Sequence, residues 1–391
     1  MVEIITADQL ASLQEADEPY TLVDTRPEAS YEAWHVAGAE NYPFSTDDEL
    51  DADALRAFES AVDGSGAVVE PVVTVCAKGV SSRALADELA HTDAYGDADV
   101  RTVDDGMEGW SRVYDVAEVA TGRDDLELLQ VQRRAKGCLG YVVGSPARGE
   151  AAVVDPTRHT DEFVTAARER GYEITHVFDT HVHADHVSGG RKLADEVGVP
   201  YHLSERAAER GVEYEYDALG RNEVVHVGDV EVKALRTPGH TTEMASYLVA
   251  DEAVLTGDTL FVDGVGRTEL EFGEQSAARG AELLFESIRG RLMALPDDVT
   301  VLPSHVTVTE EGEFASGVPG EPVTAHVGTL RTSLDLLGLD EAAFVDDVAS
   351  NVPEKPPNYE TVIDVNRGVD DRPAPQEATE LELGPNNCSA G

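Results

Sequence analysis

Three imidazoles and a carboxylate fall within six residues at His181-Val182-His183-Ala184-Asp185-His186. Imidazole and carboxylate are the donors that zinc, iron and manganese take, and two histidines two apart on one loop can face the same way. Donors of the same kind recur in Thr237-Pro238-Gly239-His240, Gly257-Asp258 and Pro303-Ser304-His305. A lone histidine reads as loop polarity or a satisfied core residue, and His91, His159, His176, His202, His226 and His326 are read that way. The remaining set, His181, His183, Asp185, His186, His240, Asp258 and His305, predicts a metal centre. A second kind of chemistry rests on Cys76, a thiol with basic residues close by at Lys78 and Arg83.

Each donor group follows a short apolar run: Ile174 to Phe178, Val230 to Leu235, Ala253 to Thr256 and Val299 to Leu302. Such runs read as buried strands, so the donors sit on loops at strand ends. Cys76 has the same setting. Pro71 to Val75 reads as a buried strand, and Ser82 to Ala90 reads as a helix with Leu85, Ala86 and Leu89 on one apolar side. A cysteine between a strand end and a helix start meets backbone amides and the positive end of the helix dipole, which stabilise a thiolate or an anionic persulfide. Lys78 and Arg83 are expected to add positive charge there, and Gly79, Ser81 and Ser82 complete the loop. The competing reading is a buried, inert thiol, since free cysteine is among the most buried residue types. Cys138, near the start of another predicted strand, reads as a small core residue, and Cys388 lies in an acidic tail with no cation beside it.

A chain of 391 residues is longer than one core usually holds, so two domains are expected. Its 77 acidic residues against 29 basic ones give a net charge of -48. That self-repulsion destabilises a compact state in dilute buffer and is screened within about 3 Å near 1 M salt. The composition resembles that of a salt-adapted archaeal protein in a saline cytosol. Nucleic acid and anionic membranes both need basic patches, so neither is expected as a partner. There is no apolar run of about 18 residues to span a bilayer, and Met1-Val2-Glu3-Ile4-Ile5 lacks a signal peptide's basic start and apolar core, so a cytoplasmic location is expected. Three cysteines, odd in number and far apart, argue against a disulfide framework.

The ordered donor groups resemble the metallo-β-lactamase superfamily over roughly residues 125 to 310, which implies an αββα sandwich with metal held by loops at one edge of two packed sheets. Ahead of it, Asp24-Thr25-Arg26, His35-Val36-Ala37-Gly38-Ala39-Glu40-Asn41, Cys76-Ala77-Lys78-Gly79 and Gly106-Met107-Glu108-Gly109-Trp110 resemble the rhodanese domain. That resemblance implies an α/β domain with Cys76 as the sulfane-sulfur carrier and Asp24, Arg26 and His35 supporting the loops around it. Ser81 stands where the commonest rhodanese loop has an arginine, and Arg83 lies two residues on, which favours a persulfide over thiosulfate as sulfur partner. The expected division is a rhodanese-like domain at 1–118, a linker at 119–125, a metallo-β-lactamase-fold domain with a helical end at 126–368 and a loose acidic tail at 369–391. Residues 306 to 328 read as an irregular excursion, and Leu330 to Leu337 and Asp340 to Ser350 as helices.

Two subfamilies share these donors. Resemblance to glyoxalase II implies two Zn(II): His181, His183 and His240 on one, Asp185, His186 and His305 on the other, Asp258 bridging, and a thioester as substrate. Resemblance to persulfide dioxygenases implies one Fe(II) on His181, His240 and Asp258, with positions open for substrate sulfur and O2 and with His183, Asp185, His186 and His305 in supporting roles. Ala184 and the stretch Asp258 to Glu269, with Gly266-Arg267-Thr268, look like the dioxygenases, and a fused rhodanese handles their persulfide substrate and sulfite product. The expected reaction is therefore oxidation of a small thiol's persulfide by O2 to sulfite and thiol, coupled to sulfur transfer at Cys76, with sulfite or thiosulfate as further small partners. Val306-Thr307 replaces the Asp-Tyr usual after the last histidine, which points to a carrier other than glutathione. Arg267 and Arg367 are candidates for its carboxylate. A third reading makes the first domain a non-catalytic docking or sulfur-relay module, and homo-oligomerisation is left open.

Overall fold

The computed structural model describes all residues but 1, 17, 63–67, 274–275, 353, 357, 385–388 and 391, with the backbone alone at 389–390. Cys388 thus lies outside the described residues. The chain divides into two compact units: residues 1–113 with the short segments 134–136 and 308–313, and residues 114–133, 137–307 and 314–391.

In the first unit, strands β1 (Glu3–Ile5), β2 (Thr21–Asp24), β3 (Ala39–Asn41), β4 (Val72–Val75) and β5 (Val100–Val103) form a parallel sheet in the order β1-β5-β4-β2-β3. Every residue of β2 and β4 is buried, as expected of parallel strands covered on both faces, and this is why their sequences are short β-branched runs. Chain order reverses between β2 and β4, and the carboxyl ends of strands at such a point are where open α/β sheets place ligands. Cys76 directly follows β4. The helix Ser81–Leu89 comes next and buries Leu85, Ala86 and Leu89, the predicted face.

The second unit is built on two sheets. Strands β6 (Tyr114–Val119), β7 (Glu127–Arg133), β8 (Cys138–Ser145), β9 (Glu150–Val154), β10 (Glu173–Phe178), β11 (Tyr201–Ser204) and β12 (Asp217–Leu219) form the first, in reverse chain order. Strands β13 (Val224–Val227), β14 (Val230–Arg236), β15 (Ala245–Val249), β16 (Ala253–Gly257), β18 (Thr300–Pro303) and β19 (Ala325–His326) form the second in that order, while β17 (Val265–Gly266) stands apart. Phe163, Ala166 and Leu193 from two helices pack on the first sheet, and Leu284, Ile288, Leu330 and Phe344 pack on the second. This is the αββα sandwich, and the donor loops follow β10, β14, β16 and β18. Tyr247 Oη donates to the Asp179 carbonyl at 2.9 Å and Tyr141 Oη to that of Pro303 at 2.6 Å, tying one sheet to the other beside the loops. The sheets also meet through backbone, with Leu139 N donating to Ser304 O at 2.7 Å and Cys138 forming a bridge with His305.

Three expectations change. The division falls at residues 113/114, not 118/119, because Tyr114–Val119 pairs along its length with β7. The excursion after His305 contains β19, and the helix expected at Leu330 to Leu337 is Val327–Ser333 followed by a 3-10 turn at Asp335–Gly338. The acidic end is not wholly loose: Pro375–Leu381 is helical and Glu382 is buried between Arg133 and Arg158. Among the described residues no helix is long and apolar enough to cross a membrane.

Candidate active sites

Donor atoms of His181, His240 and Asp258 lie within 4.8 Å of one another, all buried. His240 Nδ1 is 2.7 Å from the Arg267 carbonyl, which fixes the proton on that nitrogen and leaves Nε2 facing Asp258 Oδ2 at 3.5 Å. His181 Nδ1 is 2.9 Å from Thr180 Oγ1, and its Nε2 lies 3.8 Å from the same carboxylate oxygen. Gly266 supports this arrangement: a Cβ there would stand 1.8 Å from the Asp258 carbonyl oxygen, so only glycine lets the segment carrying Arg267 O pass beneath His240.

A second group comprises Cys138, Asp185, His186 and His305. His305 Nε2 is 3.0 Å from Asp185 Oδ2 and its Nδ1 is 2.7 Å from Asp258 Oδ1. Asp258 therefore turns one oxygen toward each group. Cys138 Sγ lies 3.5 Å from Asp185 Oδ2 and 3.8 Å from His186 Nδ1. His183 joins neither group; it gathers with Asp155 and Asp179 and faces Asp155 Oδ1 at 3.4 Å. Asp155 in turn accepts from Thr180 N at 2.7 Å and from Ser304 Oγ at 2.6 Å, pinning two donor loops together.

The donor loop is gripped from far along the chain. Asn366 Nδ2 donates to the carbonyls of His183 and His186, and its Oδ1 accepts from Ser188 N at 2.9 Å. Glu382 Oε1 accepts from Val187 N at 2.8 Å, and Glu243 Oε1 from Val182 N at 3.0 Å.

The residues fit a cation. His181 Nε2, both ring nitrogens of His183, His186 Nε2 and Asp258 Oδ2 are buried with no hydrogen-bond partner. A neutral ring keeps a proton on one nitrogen, but this many buried polar atoms without partners call for a bound ion. Burial holds the His181 imidazole well below its ordinary pKa, with His183 and His240 adding to the effect, and burial also lowers that of His240. Burial would raise Asp258 and Asp185, but His305 beside the first and His186 and His305 beside the second hold them below the ordinary carboxylate value. Neutral rings and ionised carboxylates are the metal-binding forms. Burial opposes charge on Cys138 and His186 also, yet His186 brings the thiol down to about 7 against the opposing Asp185, and Asp185 and then Cys138 bring the imidazole up to about 10.

In the first unit, Ser82 Oγ donates to Cys76 Sγ at 3.3 Å. Burial alone would raise the Cys76 pKa, but the Ser82 hydroxyl and amide, the Ser81 hydroxyl and the Lys78 amide together lower it. The Lys78 ammonium is 2.8 Å from Glu108 Oε1, and Arg83 is exposed in a pocket with Ile4, Asp87 and His91. Gly106 has φ +54, and a Cβ there would meet the Cys76 carbonyl oxygen at 2.0 Å, which explains the glycine opening that domain's last helix. Asp24 and Arg26 form a buried clamp with Arg26 Nη2 2.6 Å from Asp24 Oδ2, Asn41 Nδ2 donates to the carbonyls of both, and His35 stacks on Tyr31 at 3.9 Å. These three hold loops and do not touch Cys76.

Arg267 and Arg367 do not present free guanidinium to a carrier. Arg267 is fully buried, with Nε 2.6 Å from Glu269 Oε1 and Nη1 2.8 Å from the Glu354 carbonyl. Arg367 pairs with Asp364 and reaches the Arg210 carbonyl at 3.3 Å.

Residues 133–305 match the metallo-beta-lactamase superfamily and residues 6–113 the rhodanese-like domain. The chain belongs to the metallo-beta-lactamase superfamily and carries a rhodanese-like domain ahead of that fold. A protein named hydroxyacylglutathione hydrolase from Rhodopseudomonas palustris (strain BisA53) is 32% identical over 222 residues, covering 53% of this chain and 81% of that protein. Among solved structures, ETHE1 from Myxococcus xanthus is similar with a TM-score of 0.53 and 26% identity, covering 61% of this chain and 97% of that one. A metallo-beta-lactamase from Staphylococcus aureus subsp. aureus COL is similar with a TM-score of 0.55 and 27% identity, covering 62% and 73%.

Proposed function

We propose that the second unit oxidises the persulfide of a small thiol with O2 and water to sulfite and free thiol, using one iron, and that Cys76 carries sulfane sulfur in the first. The observation that carries this reading is the grouping of donors: His181, His240 and Asp258 bring donor atoms within 4.8 Å of one another, whereas His183, whose ring lies 4.2 Å from that of His181, groups with Asp155 and Asp179. Two histidines and one carboxylate form the set of non-haem Fe(II) oxygenases, which leaves positions open. Iron held there supplies the redox chemistry by which O2 reacts with sulfur. The chain supplies the rest. The Arg267 carbonyl and Thr180 orient the two rings, Asp258 balances the charge, and the buried surroundings exclude water. On Cys76, the Ser82 and Ser81 hydroxyls and nearby amides stabilise the anionic sulfur that accepts and releases a sulfane atom.

A second reading has its own support. Asp258 turns an oxygen to each donor group, as a carboxylate shared by two metals would, and relatives named hydroxyacylglutathione hydrolase share this region. It makes the unit a two-zinc thioester hydrolase.

Elemental analysis of protein purified without oxygen in high salt separates the two. About one iron per chain, with oxygen uptake on a small-thiol persulfide, supports the dioxygenase. About two zincs per chain, with thioester cleavage and no oxygen uptake, overturns it. His240→Ala should abolish oxygen uptake and spare sulfur transfer, and Cys76→Ser the reverse; loss of both from either change would refute the division of labour.

A further inference from the structure

Cys138 follows a turn and opens β8, and nothing in its sequence neighbourhood separates it from core residues. Its surroundings do. The buried thiol faces a carboxylate and two imidazoles, with His186 Nδ1 3.0 Å from Asp185 Oδ1 in the same cluster. The backbone bridge between Cys138 and His305 fixes this placement, because bridge partners on adjacent strands carry their side chains to the same side.

We propose that Cys138 is the thiolate ligand of a closed zinc position completed by Asp185, His186 and His305, distinct from the open position at His181, His240 and Asp258. The separations suit it. Tetrahedral zinc with Zn–S of about 2.3 Å and Zn–N or Zn–O of about 2.0 Å sets its donors roughly 3.3–3.5 Å apart. Cys138 Sγ to Asp185 Oδ2 is 3.5 Å, Asp185 Oδ2 to His305 Nε2 is 3.0 Å, and Cys138 Sγ to His186 Nδ1 is 3.8 Å.

Ligand count and softness separate the two positions. Four protein donors including a thiolate close a zinc site, whereas three donors without sulfur leave room for substrate. The geometry also couples them. His305 offers Nε2 to the zinc position and has Nδ1 2.7 Å from Asp258 Oδ1, so an ion in the closed position aligns the carboxylate of the open one. The inference does not depend on which reaction the open position performs. In the iron reading it predicts one zinc in addition to the iron.

Zinc X-ray absorption on the wild-type chain tests this without a variant. One sulfur scatterer at about 2.3 Å on the zinc is expected, and a zinc shell of nitrogen and oxygen alone would overturn the proposal. Cobalt substitution provides a second readout in a chain carrying Cys76→Ala and Cys388→Ala, where Cys138 is the one thiol left. A sulfur-to-cobalt charge-transfer band should appear and vanish on adding Cys138→Ser, with circular dichroism confirming that the variant folds. Absence of the band in the parent, or its persistence in the Cys138→Ser chain, would refute the assignment. Iron stoichiometry and oxygen uptake test the dioxygenase reading, so the two can fail separately.

Discussion

Asn366 holds the backbone of His186: its Nδ2 is 2.8 Å from the His186 carbonyl, and the same amide reaches the His183 carbonyl at 2.9 Å. Asn366→Ala would leave both carbonyls and Ser188 N unpaired, each costing about 1–3 kcal/mol where buried. Metal affinity should fall roughly 10–100-fold in a chelator competition, with a lower melting temperature. Asn366→Asp keeps the Ser188 contact but sets a charged oxygen against two carbonyls, so it should fall at least as far. Unchanged metal affinity in both variants would show that this grip does not shape the loop.

Ser82 is the main support of the Cys76 thiolate, so Ser82→Ala should raise the pH at which Cys76 becomes reactive. Iodoacetamide alkylation followed against pH reads this directly. At neutral pH the variant should react roughly two- to tenfold more slowly, the range one hydrogen bond to a charged sulfur supports. Lys78→Ala should change little, because that ammonium is engaged with Glu108.

Glu382 gives the second unit a defined acid sensitivity. Burial would raise its pKa, but Arg133 and Arg158 bring it down to about 2 from 4.5. A carboxyl with a depressed folded pKa stabilises fully above the unfolded value of 4.5, and the contribution is lost as pH falls toward about 2. Glu382→Gln removes the carboxylate that faces Arg133 and Arg158 and should cost about 3–5 kcal/mol at neutral pH. The gap between variant and wild type should narrow in denaturation curves taken below pH 4.5.

With a net charge of -48, the folded chain should gain melting temperature steadily as sodium chloride rises from 0.1 M, where screening extends about 10 Å, toward 1 M, where it is about 3 Å. A flat or falling curve would show that self-repulsion does not limit stability.

What could be read from the sequence was local. The histidine-rich loop, His240, Asp258 and His305 each follow a strand, so spacing and apolar runs predicted the donors, and the family resemblance they carry implied the sandwich. Cys76 showed itself the same way, at a strand end before a helix. Cys138 did not, because its partners lie 47, 48 and 167 residues ahead and only the folded sheets bring them together. Arg267 and Arg367 looked like substrate contacts because a sequence cannot show that Glu269 and Asp364 already hold them. Asn366 and Glu382 carry no motif at all. One sits in an ordinary helix and the other in a stretch whose acidity suggested solvent, until burial between two arginines gave that acid a reason.

The grip of residues 366 and 382 on residues 183 to 188 also sets an order of events during synthesis. The histidines leave the ribosome nearly two hundred residues before the side chains that steady their loop. A nascent chain with both sheets in place still lacks these restraints, so firm metal capture waits until residues 366 and 382 have been made. A chain cut between residues 305 and 366 would keep every donor and still fail to hold them in position.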